Sequence, residues 1–159
     1  MVAIYLNELA SLHPNAEVVG HSLGGGIASA FGTAHKRTTT TFNSSGINSA
    51  TLDLFGISEK EIDGFVTAYY VEGDILSGLQ DNTTLQEAIP WYLAKFLKGK
   101  DLTPNAKGIR RSLFPDLKGD FDDGEILSFL ENLSLSVQLH GMQEVIQAID
   151  LEIERCCKD

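Results

Sequence analysis

The stretch EVVGHSLGGGIASA, residues 17–30, joins an apolar, β-branched run to a run of small side chains and places one serine, Ser22, at the junction. Val18 and Val19 suit a short buried strand. From Leu23 to about Ala34 the Gly, Ala, Ser and Ile residues suit a helix whose small side chains let its backbone lie close to a sheet. Gly20, His21, Ser22, Leu23 and Gly24 form a G-x-S-x-G pattern between the two, the context in which that pattern has a mechanical meaning. A serine on such a turn projects at the C-terminal end of the sheet. In this reading Gly20 and Gly24 are both required, because a Cβ at either would collide with backbone where strand reverses into helix. The turn also aims the Leu23 N–H and the helix N-terminus at any oxyanion formed beside Ser22. A Gly-rich strand-to-helix turn has a competing use as a phosphate cradle. Neither a P-loop lysine nor G-x-G-x-x-G spacing accompanies this one.

Outward from this stretch the elements alternate. VAIYLNELASL, residues 2–12, sets Ile4, Leu9 and Leu12 near helical spacing and stops at His13-Pro14, since the residue before a proline avoids the α region. RTTTTFN, residues 37–43, reads as a second strand, being rich in β-branched threonine. After a polar connection, EKEIDG (59–64) reads as a short helix and FVTAYYVEGD (65–74) as a third strand. Helix, strand, helix, strand, helix, strand predicts an α/β chain with a mostly parallel sheet, flanked by helices and joined by right-handed crossovers.

Residues 80–132 depart from that alternation. IPWYLAKFLKGK (89–100) reads as a helix begun by Pro90 and stopped by Gly99, with Ile89, Leu93, Phe96 and Leu97 in one stripe. TPNAKGIRRSLFPDLKGDFDDGE (103–125) is loop-like, and ILSFLENLSL (126–135) resumes a helical pattern. The segment is a helical insertion within a single domain of residues 1–159, because no repeat, linker or low-complexity tract marks a second one. GMQEVIQAIDLEIERCC (141–157) puts Met142, Val145, Ile146, Ile149 and Ile153 on one helical face, expected to pack on the sheet.

A chain of 159 residues with 43% hydrophobic content has room for one modest core. The formal net charge of −10 argues against a nucleic-acid partner, because phosphate backbones are bound by clustered Lys and Arg. Cys156 and Cys157 are adjacent on the last helical turn, where their side chains diverge and a strain-free mutual disulfide does not form. No window reaches the roughly 20 consecutive apolar residues of a membrane span. The first residues lack the basic start and small-residue cleavage site of a signal peptide. GDFDDGE (119–125) fails the EF-hand pattern, with Gly119 and Phe121 where oxygen ligands belong, so no metal site is expected.

A serine nucleophile needs a base, and the chain has four histidines. His13 precedes the strand that leads to Ser22, and at roughly 3.3 Å per residue it falls about 20 Å away at the other end of the sheet. His35 closes the helix that Ser22 opens, again about 20 Å off at 1.5 Å per residue. His21 adjoins Ser22 but points away from it, into packing or a structural hydrogen bond. His140 remains, on a loop able to fold over the C-terminal edge of the sheet. The acid that orients it should also follow a strand. Asp74 does, whereas Asp81 lies farther along the connection and Asp63 precedes the strand. The order Ser22, Asp74, His140 is that of α/β-hydrolases.

These residues resemble the class 3 lipases of the α/β-hydrolase fold and related bacterial phospholipase-like proteins. LNELASLHPNAEVVGHSLGGGIAS is similar to that family's helix, strand and nucleophile elbow, GHSLGG being its usual form. YYVEGDILSGL resembles the segment in which the family's catalytic Asp follows a strand, and LHGMQEVIQAI the closing loop and helix that carry its His. The likeness covers most of residues 4–80 and 134–150. It implies a serine ester hydrolase, a lipase or phospholipase acting on a lipid or other apolar acyl ester through an acyl-enzyme, with no cofactor. The same set would serve acyl transfer or thioester cleavage. TFNSSGIN departs from the family's glycine and proline after the strand beyond the elbow.

In that fold a second oxyanion donor comes from a loop on an earlier strand, and only sixteen residues precede Glu17. The expectation is therefore a partial α/β-hydrolase lacking its early strands: the C-terminal part of a longer hydrolase, or a remnant serving as a binding or partner module. Its open apolar edge calls for an N-terminal segment, a partner or a second copy to cover it. The insertion sits where lipases carry a cap over the acyl pocket. Trp91, Tyr92 and Phe96 are the residues placed to line it or meet a lipid interface, unless that helix only completes the core.

Overall fold

The computed structural model describes residues 8, 11–74, 76, 106–115 and 137–157. Among the described residues four strands form one sheet in the order β1-β2-β3-β4: β1 (Val18–His21), β2 (Thr39–Phe42), β3 (Val66–Val71) and β4 (Ile109–Leu113). Every pairing is parallel, with His21 opposite Phe42, Phe42 opposite Tyr69 and Tyr69 opposite Arg111. Helix α1 (Leu23–Ala34) links β1 to β2, and α2 (Ser49–Phe55) with α3 (Glu59–Ile62) links β2 to β3. The closing helix α4 (Met142–Cys156) follows the loop at His140. The chain thus has the partial α/β architecture of a parallel sheet flanked by helices.

Side chains alternate across a strand, which separates two cores. One face of β3 presents Val66, packed with Ala30 of α1, Ile47, Leu52 of α2 and Ile62 of α3. The other presents Tyr69 and Val71, packed with Phe42, Leu113, Leu139 and, from α4, Val145 and Ala148. Stepping one strand at a time in one direction keeps successive crossover helices on the same face when the crossovers share one hand. The common core of α1, α2 and α3 reflects this, and α4 closes the opposite face.

Thr39 and Thr41 are buried in β2, and Thr41 Oγ1 has no hydrogen-bond partner among the described residues. A buried hydroxyl without a partner keeps its desolvation cost. Thr41→Val, nearly the same shape, is expected to leave stability unchanged or raise it by about 1 kcal/mol. A lowered urea midpoint would show that the hydroxyl is held.

Three sequence expectations are corrected. Residues 109–113, expected as loop, form β4 in register with β3. The connection after β2 contains α2, whose first turn is capped by Asn48 (Oδ1 accepts the Thr51 N–H at 2.8 Å) and which ends on left-handed Gly56. The buried line of α4 runs through Val145 and Ala148, while Met142, Ile146 and Ile153 are exposed. Small Ala148 lets the helix approach the sheet more closely than a line of isoleucines would. The remainder of the expected insertion, with its helices at 89–100 and 126–135, the GDFDDGE stretch and most of the first helix lie outside the described residues. No described helix is long and apolar enough to cross a membrane.

Candidate active site

Ser22 follows β1 directly and is the N-cap of α1. Its backbone sits at φ 54°, ψ −126°, a conformation that costs a non-glycine residue about 1–3 kcal/mol and persists only where the surroundings over-determine it. They do so here on both sides of the residue. The Ser22 N–H donates to Phe42 C=O at 3.1 Å, and the Ser22 carbonyl accepts from the Gly25, Gly26 and Ser45 amides at 2.9, 3.4 and 2.9 Å. The hydroxyl is therefore carried on a turn locked to β2 and to the loop after it.

Gly20 meets the steric demand expected of it: a Cβ there would stand 2.4 Å from Gly24 O and 2.7 Å from Ala28 Cβ. Gly24 does not, since a Cβ there would meet nothing within 4 Å. A close approach is found instead at Gly25, whose Cβ would be 2.6 Å from Ser44 Oγ and 3.0 Å from Ser44 Cα. The loop after β2 presses on the helix there, one residue beyond the G-x-S-x-G pattern.

Asp74 is reached by a tight turn from β3. The Asp74 N–H donates to Val71 C=O at 3.0 Å, and Gly73 takes φ 84°, the third position of a type II turn, which favours glycine. Asp74 is buried, at 1% exposure. His140 comes from the short helical turn that precedes α4.

The structure brings these three side chains into one line. His140 Nδ1 lies 2.6 Å from Asp74 Oδ1, and His140 Nε2 lies 2.7 Å from Ser22 Oγ. A carboxylate only accepts, so in the neutral imidazole Nδ1–H donates to Asp74 and the Nε2 lone pair faces the serine hydroxyl. Proton transfer from Oγ to Nε2 would place the resulting positive ring against a buried carboxylate. The arrangement can thus raise the nucleophilicity of Ser22 and hold the charge this creates.

His21 donates from Nε2 to the His140 carbonyl at 2.8 Å, with its ring 5.1 Å from the His140 ring. This is the structural hydrogen bond expected of it. His35 stands at the far end of α1 against Phe31, its ring centroid 4.4 Å away. His13 is exposed before β1, and Asp63 is exposed at the end of α3, before β3. Leu23, with an amide in the first turn of α1 that lacks an intrahelical acceptor, is 71% exposed beside the serine. Trp91, Tyr92, Phe96 and Asp81 lie outside the described residues. Among the described residues no cluster of His, Cys, Asp and Glu assembles a metal site.

One residue at this edge escapes the sequence reading. Asn43, immediately after β2, is fully buried at φ 42°. Asparagine tolerates the left-handed region best after glycine, which is the local signal that a special backbone position lies there.

A search of curated proteins gives no match to the chain. The sequence profile of a phospholipase-like family, the Tle-like phospholipase domain, matches residues 4–120. That span is more than half of the chain. It contains Ser22, Asn43 and Asp74, and His140 lies beyond its end. The chain belongs to the Tle-like phospholipase domain family.

Proposed function

We propose that the chain is a serine carboxylic-ester hydrolase of the lipase or phospholipase kind, with Ser22 as nucleophile, His140 as general base and acid, and Asp74 as the group that orients the imidazole. The observation that carries this reading is the hydrogen-bonded line from Ser22 Oγ through His140 to buried Asp74.

In the acylation half, Ser22 Oγ attacks the ester carbonyl carbon while its proton passes to His140 Nε2. The carbonyl oxygen becomes an oxyanion, which the Leu23 N–H and the N-terminus of α1 stabilise. Collapse breaks the bond to the alkoxide, which takes the proton from Nε2, and the acyl group remains on Ser22. In the second half Nε2 takes a proton from water, the hydroxide attacks the acyl carbon, and the carboxylic acid departs with Ser22 Oγ reprotonated. Membership of a phospholipase-like family and the likeness of GHSLGG, YYVEGD and LHGMQEVIQAI to class 3 lipase segments favour an acyl lipid as substrate. The net charge of −10 favours a zwitterionic over an anionic lipid surface.

The full chain is expected to release fatty acid from phosphatidylcholine vesicles, or carboxylate from a short p-nitrophenyl ester. A folded chain that releases neither would contradict the proposal.

A further inference from the structure

Asn43 binds both of the loops that carry the partners of Ser22. Its side-chain Oδ1 accepts the Val71 N–H at 2.9 Å, and its Nδ2 donates to the Leu139 carbonyl at 2.9 Å. Val71 in turn accepts the Asp74 N–H across the turn that presents the carboxylate, and Leu139 directly precedes His140. The Asn43 N–H donates to Tyr69 C=O at 2.9 Å, while the neighbouring Phe42 carbonyl holds the Ser22 N–H. One carboxamide thus spans the acid-bearing turn and the base-bearing loop, its own backbone N–H is fixed to β3, and the residue before it holds the Ser22 N–H. His21 holds the next carbonyl of the same loop, that of His140.

The geometry points to Asn43 as a positioning residue: it fixes His140 relative to Asp74 by clamping Leu139 O and Val71 N at once, and it touches none of the reacting atoms. This rests on reading Ser22, His140 and Asp74 as the catalytic set. The role demands an amide, with a donor on one side and an acceptor on the other. Glycine would relieve the left-handed backbone yet leave a buried N–H and a buried C=O unpaired. Ionised aspartate would keep the acceptor for Val71 but turn an oxygen toward the Leu139 carbonyl. The conformational strain of Asn43 is therefore retained for what its side chain connects.

Two variants of the full chain test this. Asn43→Gly keeps the backbone conformation and loses both clamps; Asn43→Asp keeps the Val71 clamp alone. If the aspartate does not fold, the glycine variant carries the test by itself. Each is compared with the parent by thermal unfolding, by kcat and KM on a short p-nitrophenyl ester, and by the downfield proton resonance of His140 Nδ1–H. A misplaced general base is expected to lower kcat roughly 100-fold in the folded variants. KM should stay within about two-fold, as when only transition-state geometry is lost, and the Nδ1–H resonance should shift or broaden. Folded variants with parental kcat and an unmoved resonance would overturn the inference while leaving the hydrolase reading intact. If the parent hydrolyses no ester but the resonance still moves in the variants, the clamp stands and the catalytic reading falls.

Discussion

Ser22→Ala is expected to lower ester turnover about 10⁶-fold, the cost of removing the nucleophile from a set of groups that act as a unit. Turnover that remains would come from binding and from the amides beside residue 22. The fold should survive. The positive-φ turn is held by backbone hydrogen bonds to Phe42 C=O and from Gly25, Gly26 and Ser45, none of which uses the hydroxyl, and alanine keeps the Cβ already accommodated there. Kinetics on the p-nitrophenyl ester together with a thermal melt decide the matter. Parental turnover by a folded Ser22→Ala protein would remove Ser22 from the chemistry.

Asp74→Asn is expected to lower kcat about 10⁴-fold with little change in KM. Asparagine is close to isosteric, so packing around the buried side chain changes little. What changes is the hydrogen bond at 2.6 Å to His140 Nδ1. An amide that turns its NH₂ toward Nδ1 selects the tautomer with Nε2 protonated, and a protonated Nε2 cannot accept the Ser22 proton. An amide that turns its oxygen instead keeps the tautomer but supplies no negative charge to the imidazolium. The kcat and KM of Asp74→Asn, measured beside those of Ser22→Ala, separate orientation from nucleophilicity. A loss of only a few-fold would show that Asp74 does not orient the base.

Much of this architecture is legible before any coordinates. β1, β2 and β3 are short β-branched runs that stop at polar or glycine-rich turns, and β1 runs straight into a helix of small residues. Residues that directly follow such strands collect at one edge of a parallel sheet, so Ser22 and Asp74 are predictable neighbours of that edge. β4 is not legible in the same way. IRRSL carries two arginines between a glycine and a proline, and its strand character comes from pairing with β3 and from Arg110 lying over the Tyr70 ring at 4.4 Å. Both are tertiary facts. α2 is a different case, because Asn48 and Gly56 are local start and stop signals that a reading of 44–58 as plain connection passes over. The Asn43 clamp lies furthest from reach, since it joins residues 96 apart in the chain through one amide and a backbone carbonyl. No periodicity or motif encodes that distance.

The most direct measurement is the position at which a fluorophosphonate probe modifies the folded full chain, read by mass spectrometry of its peptides. A serine activated by His140 should attack phosphorus, expel fluoride and carry the adduct on the peptide containing Ser22. That adduct should be absent from His140→Ala and from heat-unfolded protein. An unmodified Ser22 in the folded chain, or an adduct that forms equally well without His140, would contradict the account.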